Sequence, residues 1–299
     1  MLPNALSVDV EEYYHAAIFR GDSDLSTAGP FESRVEQNVD DLLAIFSRHR
    51  ALGTFFILGE VAALHPRMVR SIAAEGHEIA CHGDRHDDVY RLEPDEFRAD
   101  IRRAKASIEE VLGEAIVGYR APNFSIGRAQ GWAYQILLEE GFRYDSSTYP
   151  ILHDRYGQAS APRFPYTIWR DGPASLLEFP IGTARYIGVN VPIGGGGYFR
   201  LLPYPLVQLG IQHVNELEQR PVMFYVHPWE LDARQPRRAM TWRRRFRHYV
   251  GMRKHARKLD RLLAQFRFTT AWQILQTPQP AVSVARLPEP ALIEPRVTA

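Results

Sequence analysis

From residue 5 to about residue 230 the chain alternates short apolar runs with segments of helical period, and this rhythm constrains the fold more than any other feature. Residues 5–9, 54–58, 77–82, 115–120, 142–146, 176–181 and 221–226 read as strands. Between them, Val35, Val39, Leu42, Leu43 and Phe46 recur at helical spacing and predict a helix over 33–49. A second helix through Met68 and Ile72 stops at Gly76, and a third, through Phe97, Ile101, Ala104 and Ile108, starts near Pro94 and stops at Gly113. Residues 129–140 and 204–219 complete the set. Repeated βα units build parallel sheets. The predicted fold class is therefore α/β: a distorted (β/α)7-type barrel with parallel strands, followed by a C-terminal helical extension. A doubly wound open sheet is the competing architecture. No GxGxxG follows the first strand and there is no P-loop, which argues against nucleotide binding.

Three segments break the rhythm. Residues 149–173, rich in Pro, Tyr and Gly, read as a long loop. Four glycines at 194–197 permit either tight turns with close backbone approach or a flexible surface loop. Between Arg234 and Arg261 there are 12 Lys or Arg residues against one acid, Asp260, although the whole chain is nearly balanced at +1. These residues cannot share one helical face, so they are solvated or bind anions. No nucleic-acid motif accompanies them, and no nucleic-acid partner is expected. The expected organisation is a barrel over 1–232, a basic extension over 233–276 packed on it, and a disordered Pro-rich tail over 277–299. The start of the chain carries Asp9, Glu11 and Glu12 before any apolar run of signal-peptide length, and no window approaches the ~18 apolar residues of a membrane span. The expectation is a soluble cytoplasmic protein without a transmembrane segment. The single cysteine, Cys81, excludes an intramolecular disulfide, so any metal must be held mainly by His, Asp or Glu.

Five polar signals fall at the C-terminal ends of predicted strands. Asp9 and Glu11 flank Val10, and strand alternation puts them on one side, about 6.6 Å apart. His82 and His86 are four apart, a spacing that lets both reach one metal from a helical turn or a curled loop. Arg120 to Asn123 follow the fourth strand, Asp145 ends the fifth, and His227 ends the last. In a parallel barrel the C-terminal ends of all strands meet on one face, where active sites sit. Each signal alone has a structural explanation, and it is their joint placement on that face that points to chemistry.

These residues resemble a family, the polysaccharide deacetylases of carbohydrate esterase family four, the NodB-homology group. Gly76-His77-Glu78-Ile79-Ala80-Cys81-His82-Gly83-Asp84-Arg85-His86 is similar to its metal motif, Thr54-Phe55-Phe56 to its TFF strand, and Arg120-Ala121-Pro122-Asn123-Phe124 to its third motif. His227 sits where its last motif has a histidine. Tyr144-Asp145-Ser146-Ser147, the stretch 194–203 and His227-Pro228-Trp229-Glu230 further resemble the subfamily of exosortase (PEP-CTERM) exopolysaccharide loci, which carries a C-terminal extension. The usual first motif has adjacent aspartates; here Val10 separates the two acids, a spacing that some members use.

The resemblance implies metal-dependent hydrolytic N-deacetylation of N-acetylated sugars, in exopolysaccharide biosynthesis. It implies a divalent metal, zinc by its ligand set, with cobalt, nickel or manganese as substitutes. Asp9 is assigned as base and Glu11 as metal ligand beside His82 and His86, with the reverse assignment left open. Arg120 pairs with Asp9, and His227 is the acid with Asp145 behind it. Asn123, Tyr198 and Trp229 contact substrate, the last two as aromatic faces for sugar rings. The expected partner is an N-acetylated glycan, with an anionic glycan or lipid-linked precursor at the basic extension and a place peripheral to the inner membrane. Two alternatives stand beside this: a glycan-binding assembly protein of an export locus with weak catalysis, and a carboxylate-based glycoside hydrolase.

Overall fold

The first strand, β1 (Asn4–Val10), is buried along its whole length, as a strand covered on both faces must be. In a computed structural model, which describes residues 2–16, 19, 32–153, 156–237 and 240–277, it is the second strand along a nine-stranded sheet. The other strands of that sheet are β2 (Thr54–Ile57), β3 (Glu78–Cys81), β4 (Gly118–Tyr119), β5 (Tyr144–Asp145), β6 (Tyr166–Asp171), β7 (Ala174–Glu178), β10 (Met223–Val226) and β11 (Phe268–Thr269), while β8 (Thr183–Tyr186) and β9 (Val189–Pro192) form a separate antiparallel pair. The order β10-β1-β2-β3-β4-β5-β7-β6 is parallel except for β6, and β11 adds to β1 at its start. The helices are α1 (Val35–His49), α2 (Gly59–Leu64), α3 (Pro66–Ala74), α4 (Pro94–Leu112), α5 (Trp132–Glu139), α6 (Gly196–Leu201), α7 (Tyr204–Gln212), α8 (Trp242–Tyr249), α9 (Met252–Gln265) and α10 (Ala271–Gln276). α4 shows why they end where they do: Glu93 and Glu96 form a capping box around Pro94, and Gly113 takes the left-handed turn (φ 74°) that stops it.

The α/β class with mostly parallel strands and C-terminal helices is as expected. Two details differ. The segment expected as one long loop, 149–173, contains β6, which turns at Gly172 and pairs antiparallel with β7. The helix expected over 204–219 ends as α7 and continues as a π-helical turn, His213–Leu217.

The gap between β5 and β10 is bridged without regular strands. The Phe179 and Ile181 amides donate to the carbonyls of Asp145 and Thr148, and the Gly182 amide donates to Met223. The Tyr225 amide donates to Gly194. This closure explains the glycine run, which is neither a loose surface loop nor an arbitrary turn. Gly195 has φ 109°, and a Cβ there would stand 1.9 Å from the Tyr225 carbonyl oxygen. Only glycine lets the chain run this close to β10.

The opposite end of the barrel is sealed by the C-terminal segment. β11 pairs with β1, the Ala271 amide donates to Thr54 Oγ1, and Trp272 stacks on Tyr144 at 5.9 Å. α10 thereby places Ala271 and Ile274 against Phe56, Ala80 and Met223 in the barrel interior. α9 is tied to α1 at Arg48, His49 and Asp260. With its lower end plugged, the barrel is left with the C-terminal ends of its strands as the face for chemistry. The Pro-rich tail, 278–299, lies outside the described residues.

Candidate active site

Glu11 follows β1 directly, and His82 follows β3. His86 is brought back by a loop in which Gly83 has φ 81° and His86 itself φ 62°. A left-handed histidine carries strain of about 1–3 kcal/mol, which this site bears while aiming the ring inward. Each of the three offers one ligand atom, and these atoms lie within 4.8 Å of one another. All three residues are buried. His82 Nδ1 is 2.8 Å from the Arg120 carbonyl oxygen, so Nδ1 carries the proton and Nε2 keeps its lone pair for a ligand. Burial pulls the His82 pKa down to about 4, keeping the ring in the neutral, ligating form. Burial alone would raise the Glu11 carboxyl, but His86, in direct contact with it, together with His227 and His82 holds it well below the ordinary carboxylate range. The donor set, two imidazoles and one carboxylate, fits a divalent cation.

Asp9, the penultimate residue of β1, faces the same space. Its Oδ1 accepts from Arg120 Nη1 at 2.6 Å. Arg120 has no exposed surface and is fixed on every side. Nη1 also donates to Ser7 Oγ, Nε donates to the Ser146 carbonyl, and Nη2 donates to Ser146 Oγ. The guanidinium lies 4.1 Å above the Phe56 ring. Asp9 therefore has one orientation available, with Oδ2 toward His227 Nε2 at 3.8 Å.

His227 Nε2 stands between the two acids, 3.7 Å from Glu11 Oε1. Its Nδ1 is 3.3 Å from Glu230 Oε2, which also accepts the His227 amide at 3.0 Å. Burial would lower the His227 pKa, but Glu230 first, then Glu11 and Asp9, raise it to about 9. Glu230 is fully buried and held by Arg200 Nε at 2.7 Å; His227 and Arg200 lower its pKa against the effect of burial.

The expectation that Asp145 backs His227 is corrected here. Asp145 binds Ser147 through its hydroxyl (2.6 Å) and amide (3.2 Å), and it pairs across the sheet with Glu178. Burial raises the pKa of both carboxyls, and their mutual repulsion pushes Glu178 well above the ordinary range. β5 neighbours β4 and β7, whereas β10, which presents His227, neighbours β1, so Glu230 rather than Asp145 meets the histidine. Glu230 was detectable: a glutamate three residues after the strand-end residue, with Pro228 between, is a capping-box pattern that folds back on its start. Ser7, which helps to orient Arg120, carried no comparable signal, and Ser146 was visible only as part of the Tyr144–Ser147 motif.

A cavity of about 330 Å³ opens over these groups and is lined by Asp9, Glu11, His82, His86 and His227. Asn123, at φ 53°, and Tyr198, in α6, also line it, and the Asn123 side chain is tied to Asp88 at 2.7 Å. Trp229 reaches the cavity but does not offer the open ring face expected for a sugar. It is 5% exposed, stacked on His227 at 5.1 Å and on His248 at 4.7 Å. Its Nε1 donates to Glu11 Oε1 at 3.0 Å, so it fixes a carboxylate.

Residues 27–137 match the family model described as polysaccharide deacetylase, and residues 146–276 match a domain of unknown function, DUF3473. A chitooligosaccharide deacetylase of Bradyrhizobium sp. (strain ANU 289) is 36% identical over 83 residues, 27% of this chain and 38% of that protein. A peptidoglycan-N-acetylglucosamine deacetylase of Bacillus cereus is 37% identical over 83 residues, 28% of each chain. The match thus spans well under half the length of these relatives. In fold, the chain is similar to a Mycobacterium smegmatis protein assigned to the polysaccharide deacetylases (TM-score 0.58, 22% identity, 95% of this chain and 94% of that one). It is similar also to Puue allantoinase (TM-score 0.56, 20% identity, 90% and 87%).

Proposed function

This chain carries a polysaccharide deacetylase domain, matched over residues 27–137, and from that premise we propose that the protein hydrolyses the N-acetyl amide of sugar units in a polysaccharide or its precursor. The observation that supports this most is the convergence on one cavity of Glu11 with His82 and His86, of Asp9 on Arg120, and of His227 on Glu230. Glu11, His82 and His86 would hold a divalent cation, zinc by the donor set, with cobalt, nickel and manganese as substitutes. Such an ion supplies the positive charge that polarises an amide carbonyl and acidifies water. Asp9, aimed by Arg120, receives the proton of the attacking water. His227 Nε2 delivers a proton to the departing amine nitrogen, and Glu230 stabilises its imidazolium, the part that the sequence assigned to Asp145. Asn123 and Tyr198 contact the sugar, and Trp229 holds Glu11. The glycan substrate is assigned to exopolysaccharide biosynthesis on the motifs around Tyr144, Gly194 and His227, and the barrel is taken to end at residue 232, with 233–276 as its extension.

The test is acetate release from an N-acetylglucosamine oligomer by the protein supplied with each metal in turn. Release that stops on chelation, resumes on metal addition, and is lost together with bound metal in His82→Ala supports the proposal. No release with any of the four metals, or wild-type metal content in His82→Ala, overturns it.

A further inference from the structure

The chemistry proposed above uses α8 only through His248, the one buried residue of that helix. The rest of the helix projects outward with an unusual composition. Trp242 and Phe246, one helical turn apart, are 73% and 54% exposed and form an aromatic ridge. Arg243 and Arg247 flank the ridge on one side and Arg245 on the other, all exposed. Leu201, 52% exposed at the end of α6, continues the apolar surface, and Phe246, Arg247 and Leu201 all line the active-site cavity. A second groove of about 660 Å³, sharing Arg200, Leu201 and Val250 with that cavity, is edged by Arg237, Arg253, Lys254 and Arg257.

We propose that α8 and the adjoining groove form a docking surface for an anionic lipid bilayer, which holds the mouth of the active site at the headgroup layer. Both halves of the composition are needed for the argument. Arginines alone suit any polyanion; an exposed tryptophan and phenylalanine in their midst can stack on sugars as well, but their placement between arginines on both sides matches the apolar-to-anionic layering of a headgroup region. Aromatic rings seat at the headgroup level of a membrane while flanking arginines meet lipid phosphates. The segment 234–259 contains no acid to repel such a surface. No helix among the described residues is long and apolar enough to cross a membrane, so the contact is with one leaflet. The substrate class this favours is a sugar carried on a lipid; that consequence rests on the deacetylase reading, whereas the docking surface does not.

The experiment measures binding without turnover, so its outcome is separate from that of the acetate assay. The full chain is sedimented with phosphatidylcholine vesicles with and without phosphatidylglycerol, and in parallel is titrated with heparin as a soluble polyanion. The expected result is selective binding to the anionic vesicles that weakens with added salt. Trp242→Ala combined with Phe246→Ala should lower vesicle partition by about tenfold or more. Arg243→Glu with Arg245→Glu should lower it by at least about fivefold per residue. In the wild type, brominated lipid should quench tryptophan fluorescence, and Trp242→Phe, which keeps an aromatic surface and the fold, should remove most of that quenching. Three results would overturn the proposal. The wild type could ignore anionic vesicles. The arginine variants could lose heparin and vesicle binding alike while the aromatic variants lose neither, which marks a glycan surface. Or the chain could form a dimer that Trp242→Ala dissociates, which marks a self-contact.

Discussion

The Arg120–Asp9 pair makes the sharpest quantitative demand on this site. Arg120 is wholly buried and Asp9 is 3% exposed, with the charges 2.6 Å apart. Water screens neither of them, so the small value of a surface ion pair does not apply. In Arg120→Met the side chain keeps its length and its place over Phe56, but the Asp9 carboxylate loses its counter-charge and the Ser146 carbonyl loses a donor. Leaving one member of a buried pair uncompensated costs about 3–5 kcal/mol. For a chain of this size that lowers Tm by roughly 10 °C. Asp9→Asn removes the other partner and leaves the guanidinium unpaired, at a similar cost. The double variant carries neither charge, so its loss should be smaller than the sum of the two single losses by about 2 kcal/mol or more. Urea unfolding of the three variants and the wild type, all in chelator, closes the cycle without any contribution from bound metal. Additive losses within about 0.5 kcal/mol would refute the pairing and leave Asp9 without the device that aims it.

Glu230→Gln keeps the shape of the His227 partner and removes its charge. Because Glu230 is the largest influence raising the His227 pKa, the variant should lose the acid form at lower pH, and the alkaline limb of the acetate-release profile should move down from about 9; superposable profiles would count against Glu230. Gly195→Ala places a Cβ 1.9 Å from the Tyr225 carbonyl oxygen at φ 109°, so the closing segment must shift. A loss of about 3 kcal/mol or more in urea unfolding is expected, and a change under about 0.5 kcal/mol would show that the closure is soft.

How much of this was legible in the sequence follows from where the information is stored. Strand-end residues are placed by local pattern: once β1, β3, β4 and β10 are recognised, Asp9, His82, Arg120 and His227 must share a face, and they do. The partner of His227 is a matter of side-chain reach. Asp145 and Glu230 are both acids near strand ends, and only sheet order and the turn at Pro228–Glu230 decide between them. β6 was hidden because its alternation, with Tyr166 and Ile168 buried, spans only four residues inside a Pro-rich stretch, and its pairing depends on β7 being there to receive it. The glycine run was visible but ambiguous, since its meaning depends on the nearness of β10, more than 25 residues away.

The two segments that match separate families do not contain separate sites. Residues 27–137 supply His82, His86 and Arg120, and residues 146–276 supply His227, Trp229 and Glu230, while Asp9 and Glu11 precede both. The extension beyond the barrel reaches this centre at several points: His255 Nε2 lies 3.8 Å from Glu230 Oε2, and Arg200 of α6 ties Glu230 to α8. Arg200 donates from Nε to Glu230 and from Nη1 to the carbonyl of His248 in α8, and the His248 ring covers Trp229, which in turn holds Glu11. The electrostatic partner of the proposed acid and the orientation of a proposed metal ligand thus both depend on where α8 sits. A helix that is otherwise exposed would be a poor anchor for such contacts unless something held its outer face. An anionic bilayer under Trp242 and Phe246 would do so, which ties the proposed docking surface to the order of the candidate site.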